Sequence, residues 1–111
     1  MNLTSESHLA ATVLAISGEL TADNSDTFQR YVRETVKNSN TNIILDCGEL
    51  DHIDSVGLES FLWLSDELNR NGNKLKFAAV SESVQAVFKL TRLERVFSTH
   101  KTVEAAARSF S

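Results

Sequence analysis

The sequence predicts a single α/β domain built on a mixed, mainly parallel sheet of four to five strands with about four helices. Short apolar, β-branched runs alternate along the chain with segments whose apolar residues recur at three- and four-residue spacing, as strand–helix–strand units require. The 111 residues fit one domain, and a chain of that length buries about 65% of its unfolded surface, enough for a real core. With four glycines and no proline, no linker or low-complexity tract divides it, so one domain spans residues 1–111.

Residues 2–7 are polar apart from Leu3 and make either a short edge strand or a frayed end. From Leu9 to Ser17, Val13, Leu14, Ala15 and Ile16 read as a strand, closed by Gly18-Glu19, and pairing of the N-terminal strands would be antiparallel. Thr21 to Ser25 is rich in helix-capping side chains. Phe28, Tyr31, Val32, Thr35 and Val36 then recur at helical spacing until Asn38-Ser39-Asn40-Thr41 ends the pattern. Asn42 to Cys47 is too short for a helix and too apolar for a loop, which predicts a buried parallel strand bounded by Gly48.

A loop of about ten residues should follow, and then a helix over 57–69, because Leu58, Phe61, Leu62, Leu64 and Leu68 collect on one side at 100° per residue. Asn71-Gly72-Asn73 stops it. Lys74 to Val80 reads as a strand entering the core. Ser81 or Ser83 caps a short helix carrying Val84, Val87, Phe88 and Leu90. Val96-Phe97-Ser98 is a last short strand, and Val103, Ala106, Ala107 and Phe110 mark a closing helix.

Composition removes several classes of function. A net charge of −4 and a pI near 5.3 disfavour nucleic acid, whose phosphates need clustered Lys and Arg. No apolar stretch approaches the length of a membrane span, and no N-terminal segment joins a basic start to an apolar run, so the expectation is a cytoplasmic protein without membrane insertion. Cys47 stands alone and reads as small apolar filling at the end of a buried strand.

The most informative stretch is Asp54-Ser55-Val56-Gly57-Leu58, where the buried strand hands over to the amphipathic helix. The first turn of a helix has backbone N–H groups without intrahelical partners and a dipole that favours negative charge. If Asp54 caps the helix, the Ser55 hydroxyl is left free at its first turn.

The order of these signals matters more than any one of them. Gly18-Glu19-Leu20 after a strand, an apolar strand, Asp54-Ser55-x-Gly57-Leu58 opening a helix, then Val84-x-x-Val87-Phe88, Leu93, Val96-Phe97 and an Ala-rich helix follow one another. In that pattern the chain resembles, over nearly its whole length, the STAS domain of anti-sigma-factor antagonists. The resemblance implies that Ser55 is phosphorylated by a partner serine kinase. It implies a non-enzymatic protein that binds an anti-sigma factor, or a similar regulatory kinase, while Ser55 is unmodified. A serine phosphatase of the PP2C type would reset it. The expected partner-binding surface comprises Asp54, Ser55, Val56, Gly57, Glu59, Trp63 and Thr21. Val56, Thr21 and Glu59 stand where the family often has a second hydroxyl, an acidic and a small residue, so Ser55 has no competing acceptor next to it.

Other readings of the same residues compete. A hydrolase elbow needs Gly-x-Ser-x-Gly, and Ile53 stands two before Ser55, so half the steric requirement is missing even with His52 or His100 as a base. Asp46, Glu49, Asp51 and Asp54 raise the question of a metal, but their spacing is not that of an EF-hand, and a solvated acidic loop without metal or cofactor is expected. Trp63 falls about 140° from Leu58, among Glu59, Glu67 and Arg70, where it either anchors an interface or covers the Arg70 stem. The fold also serves as a non-switching accessory subunit, for example of a lipid transport complex, in which the serine is structural.

Overall fold

Alternation along residues 11–20 sends Leu14 and Ile16 to one face of a sheet and Ala11 and Val13 to the other, and this division organises the molecule. The computed structural model describes residues 1–110. In chain order the elements are β1 (Asn2–His8), β2 (Ala11–Leu20), α1 (Ser25–Asn38), β3 (Asn42–Ile53), α2 (Ser55–Arg70), β4 (Leu75–Ala78), α3 (Glu82–Leu90), a 3-10 turn at Leu93–Arg95, β5 (Ser98–His100) and α4 (Val103–Arg108). The five strands lie in sequential order, with β1 antiparallel to β2 and every later pair parallel. The mixed, mainly parallel sheet and four α-helices are those the sequence predicts.

Three crossovers stepping the same way across a sheet place their helices on one face. Accordingly Phe28 and Val32 of α1, Phe61, Leu64 and Leu68 of α2, and Val84 and Phe88 of α3 share one core with Leu14, Ile16, Ile43, Leu45 and Phe77. Phe61 is its hub, with edge-on contacts to Phe28 at 5.9 Å and Phe77 at 5.1 Å between ring centroids. Each such pair adds about 0.5–1.5 kcal/mol beyond burial. On the opposite face Ala106 and Ala107 of α4 pack against Ala11, Val13, Ile44 and Ala78. Cys47 is fully buried in the main core, and desolvation there, more than the neighbouring Asp46 carboxylate, pushes its thiol well above the usual range.

The structure moves several boundaries. The expected loop after Cys47 is strand: β3 continues to Ile53, burying Cys47, Leu50 and Ile53 at intervals of three. Register shifts against β2 between Ala15 and Ser17 and between Gly18 and Glu19 explain that spacing, because each bulge turns the strand. Gly18, at φ 87°, lies inside β2 and does not close it. The solvated acidic loop is therefore part of a strand, with Glu49 and Asp51 on its exposed side. Leu9, placed in a strand by its character, takes φ 55° in the two-residue turn between β1 and β2 and is 81% exposed. Ala79, at φ 58°, ends β4 before Val80. Val96 and Phe97 are not strand, because both amides donate back to the Leu93 carbonyl of the 3-10 turn they follow; β5 starts at Ser98.

Candidate functional site

The bulged ends of β2 and β3 run on together past β4, and from their tips the chain enters α1 and α2. Asp54 caps α2 from an extended backbone at φ −104° and ψ −175°. Its Oδ1 accepts the Gly57 N–H at 2.9 Å, while Oδ2 reaches across to accept the Ala22 N–H at 3.0 Å. One carboxylate thus satisfies a free donor of its own helix and fastens the loop before α1 to it. The Gly57 and Ala22 amides, in that order, hold the Asp54 carboxyl below its ordinary value, with smaller help from Val56 and from the charge of His52.

Gly57 is required by close approach. A side chain there would overlap the Leu20 carbonyl and stand 2.6 Å from Ile53 Cγ1, so the first turn of α2 rests on the end of β2 only because the residue is glycine. The Asp54 amide donates to the same Leu20 carbonyl at 3.3 Å. Gly18-Glu19-Leu20 and Asp54-Ser55-Val56-Gly57, more than thirty residues apart in the chain, are two halves of one joint.

Ser55 opens α2 and is exposed, and the cap being Asp54, its hydroxyl has no structural duty there. Val56 beside it is half-buried, Gly57 is buried, and Glu59 is exposed one turn further along. Thr21 lies in the fastened loop: its N–H donates to Asn24 Oδ1 at 2.9 Å and its hydroxyl accepts from the Asp23 amide at 3.3 Å. Asn24 holds the N-cap position of α1 but spends its side chain on that loop, its Nδ2 donating to the Glu19 carbonyl at 2.9 Å. The structure therefore brings Asp54, Ser55, Val56, Gly57, Glu59 and Thr21 to one end of the molecule.

It does not bring Trp63 there. Eight residues beyond Ser55, or about 12 Å along the helix axis, Trp63 is half-buried in a groove between α1 and α2 with Val32, Val36 and Glu67. The Arg33 guanidinium covers its ring at 5.1 Å from the centroid. Arg70, whose stem the sequence sets under that ring, pairs its guanidinium with Glu67 at 2.8 Å. The polar side assigned to Trp63 is the flank against which α1 packs, something no single-helix projection registers.

The two histidines offered as bases are placed differently. His52 is exposed on β3, and His100 Nε2 shares a 3.0 Å hydrogen bond with the Ser98 hydroxyl, held below its ordinary value by desolvation and then by Lys76. Among the described residues neither is hydrogen-bonded to Ser55, and no group of three or more His, Cys, Asp or Glu is placed to hold a metal ion. No helix among them is long and apolar enough to cross a membrane. Sequence reasoning missed the Ala22 amide and the Leu20 carbonyl as partners of the start of α2; the signal was Gly57, a glycine in the first turn of a helix.

Known proteins resemble the chain over its whole length. The chain is 24% identical over 110 residues to BtrV of Bordetella bronchiseptica, named as a candidate anti-sigma factor antagonist, covering 99% of this chain and 95% of that one. The crystal structure of a candidate anti-sigma factor antagonist from Thermotoga maritima superposes with a TM-score of 0.88 at 22% identity, over 96% of this chain and 92% of that one. The phosphorylated form of the Bacillus cell fate determinant SpoIIAA superposes with a TM-score of 0.72 at 19% identity, over 97% of this chain and 99% of that one. The family model of the STAS domain matches residues 2–106, and the chain belongs to that family.

Proposed function

We propose that this chain is an anti-sigma-factor antagonist that works by partner switching through Ser55. Its unmodified form binds an anti-sigma factor with serine kinase activity and so frees that protein's client. The kinase transfers a phosphoryl group from ATP to the Ser55 Oγ, the complex dissociates, and a PP2C-type serine phosphatase restores the hydroxyl. The chain is the substrate and ligand of these enzymes and performs no catalysis itself. Its compartment is that of the kinase and its ATP, the cytoplasm.

The observation that carries this reading is the division of labour between two adjacent residues. Asp54 takes both structural bonds, so modification of the exposed Ser55 breaks none of them. A phosphoserine brings about −1.5 to −2 charges and three acceptor oxygens. Within the monomer that charge meets the positive end of α2, which favours it by about 0.3–1 kcal/mol. In a complex it is desolvated beside ionised Asp54 and next to Glu59. The switch therefore acts at the interface and leaves the fold in place. The names of BtrV and of the Thermotoga protein, and the fact that SpoIIAA exists in a phosphorylated form, support the same reading.

Retrieval of bound protein from the source cell with the tagged chain, followed by incubation of that partner with ATP and peptide mapping, tests the proposal. Phosphate on Ser55 and release of the partner are the expected results. Phosphate on Ser60, Ser65 or Thr21 contradicts the assignment.

A further inference from the structure

The sheet ends at β1, and the seven-residue strand carries neither proline nor lysine to guard its unpaired outer edge. Beside it, on the helical face, runs a groove of about 560 Å3 floored by Ser5, Ser7 and Thr12 and walled by one stripe of α1 that includes Thr27, Arg30 and Glu34. Arg30 and Glu34 are exposed and four residues apart, in the order that favours pairing within a helix less. Among the described residues the only ion pair is Glu67–Arg70, so these two charges are spent on nothing inside the chain. The Tyr31 hydroxyl donates to the Ser5 hydroxyl at 3.2 Å, which sets the middle of β1 against the middle of the Arg30–Glu34 pair.

From this juxtaposition we infer that β1 and α1 form the interface of a homodimer. A second copy lays its β1 antiparallel to the first about a two-fold axis through Ser5, and the same axis sets Arg30 of each copy opposite Glu34 of the other. Such an interface is self-complementary, as a two-fold contact must be. The register pairs Leu3 with Ser7 and Thr4 with Glu6, opposing no like charges. A strand from another protein would satisfy the edge but leave Arg30 and Glu34 unmatched, which is why a second copy is the better occupant. The inference stands apart from the serine switch, because the groove holds none of residues 54–59.

Sedimentation velocity over a concentration series, on wild type, Arg30→Glu and Glu34→Arg, tests it. Both positions are exposed, and circular dichroism establishes that each variant is folded. Wild type should dimerise with concentration, and each reversal should weaken self-association about tenfold or more, since it opposes like charges twice. Mixed in equal amounts, the two variants should associate with each other at wild-type strength, because both Glu–Arg pairs are then restored. Amide exchange across residues 2–8 should slow as the dimer fills. A monomer up to about millimolar concentration, a dimer indifferent to both reversals, or variants that fail to associate when mixed overturns the inference.

Discussion

The first turn of the serine-bearing helix lies so close to the end of β2 that any Cβ on Gly57 would overlap the main-chain carbonyl oxygen of Leu20. The Asp54 amide, donating to the same carbonyl at 3.3 Å, holds the start of α2 there through backbone atoms.

Gly57→Ala should destabilise the fold by about 1–3 kcal/mol, the usual cost of forcing extra atoms into a packed contact. Both neighbours, a backbone carbonyl and the buried Ile53, resist displacement. Urea melts measure the loss; an unchanged midpoint would mean that the joint is loose.

Asp54→Asn should weaken the fastening of the loop before α1 to α2, and faster amide exchange at Ala22 and Gly57 should report it. The folded carboxyl titrates below its ordinary value of 3.8. Its contribution is thus complete above that value and is lost as pH falls through the lower, folded pKa. The stability difference between wild type and variant should be constant above pH 3.8 and shrink as pH falls below it.

Trp63 should show intermediate exposure. Iodide should quench its fluorescence only partly in the free protein, and Arg33→Ala should raise the quenching by uncovering the ring. Loss of the cation–π contact costs about 0.5–1 kcal/mol. Quenching as complete as that of free tryptophan would remove the α1 contact.

Cys47 should resist thiol reagents until the protein unfolds, since only the thiolate reacts and burial disfavours it. Because the folded thiol titrates above its ordinary value of 9.0, the unfolded chain loses the proton first and stability should decline as pH rises past 9.0. Stoichiometric labelling of the native protein would contradict its burial.

Elements whose local pattern and packing agree were legible in the sequence. The apolar runs of Val13–Ile16 and Ile43–Leu45 predict strands, and Asp54 and Ser81 cap the helices they precede. What escaped was set by distant partners. The continuation of β3 hides its period behind register shifts against β2, and the Leu93 carbonyl draws the amides of the strand-like Val96 and Phe97 back onto the turn they follow. In the site, the adjacency of Asp54 and Ser55 was readable, whereas the Ala22 amide and Leu20 carbonyl have no side-chain signature. The α1 side of the Trp63 surroundings escaped for a related reason, since Val32, Arg33 and Val36 belong to another helix.

Calorimetric titration of the purified kinase partner with the unmodified chain, its Ser55-phosphorylated form and Ser55→Ala tests the switch most directly. An unpaired charge in an interface costs about 2–5 kcal/mol, or roughly 30-fold to several-thousand-fold in affinity. The account predicts that the unmodified chain and Ser55→Ala bind alike, that the phosphorylated form binds weaker by a factor in that range, and that all three melt within a few degrees of one another. Equal affinity of the phosphorylated and unmodified forms would contradict it.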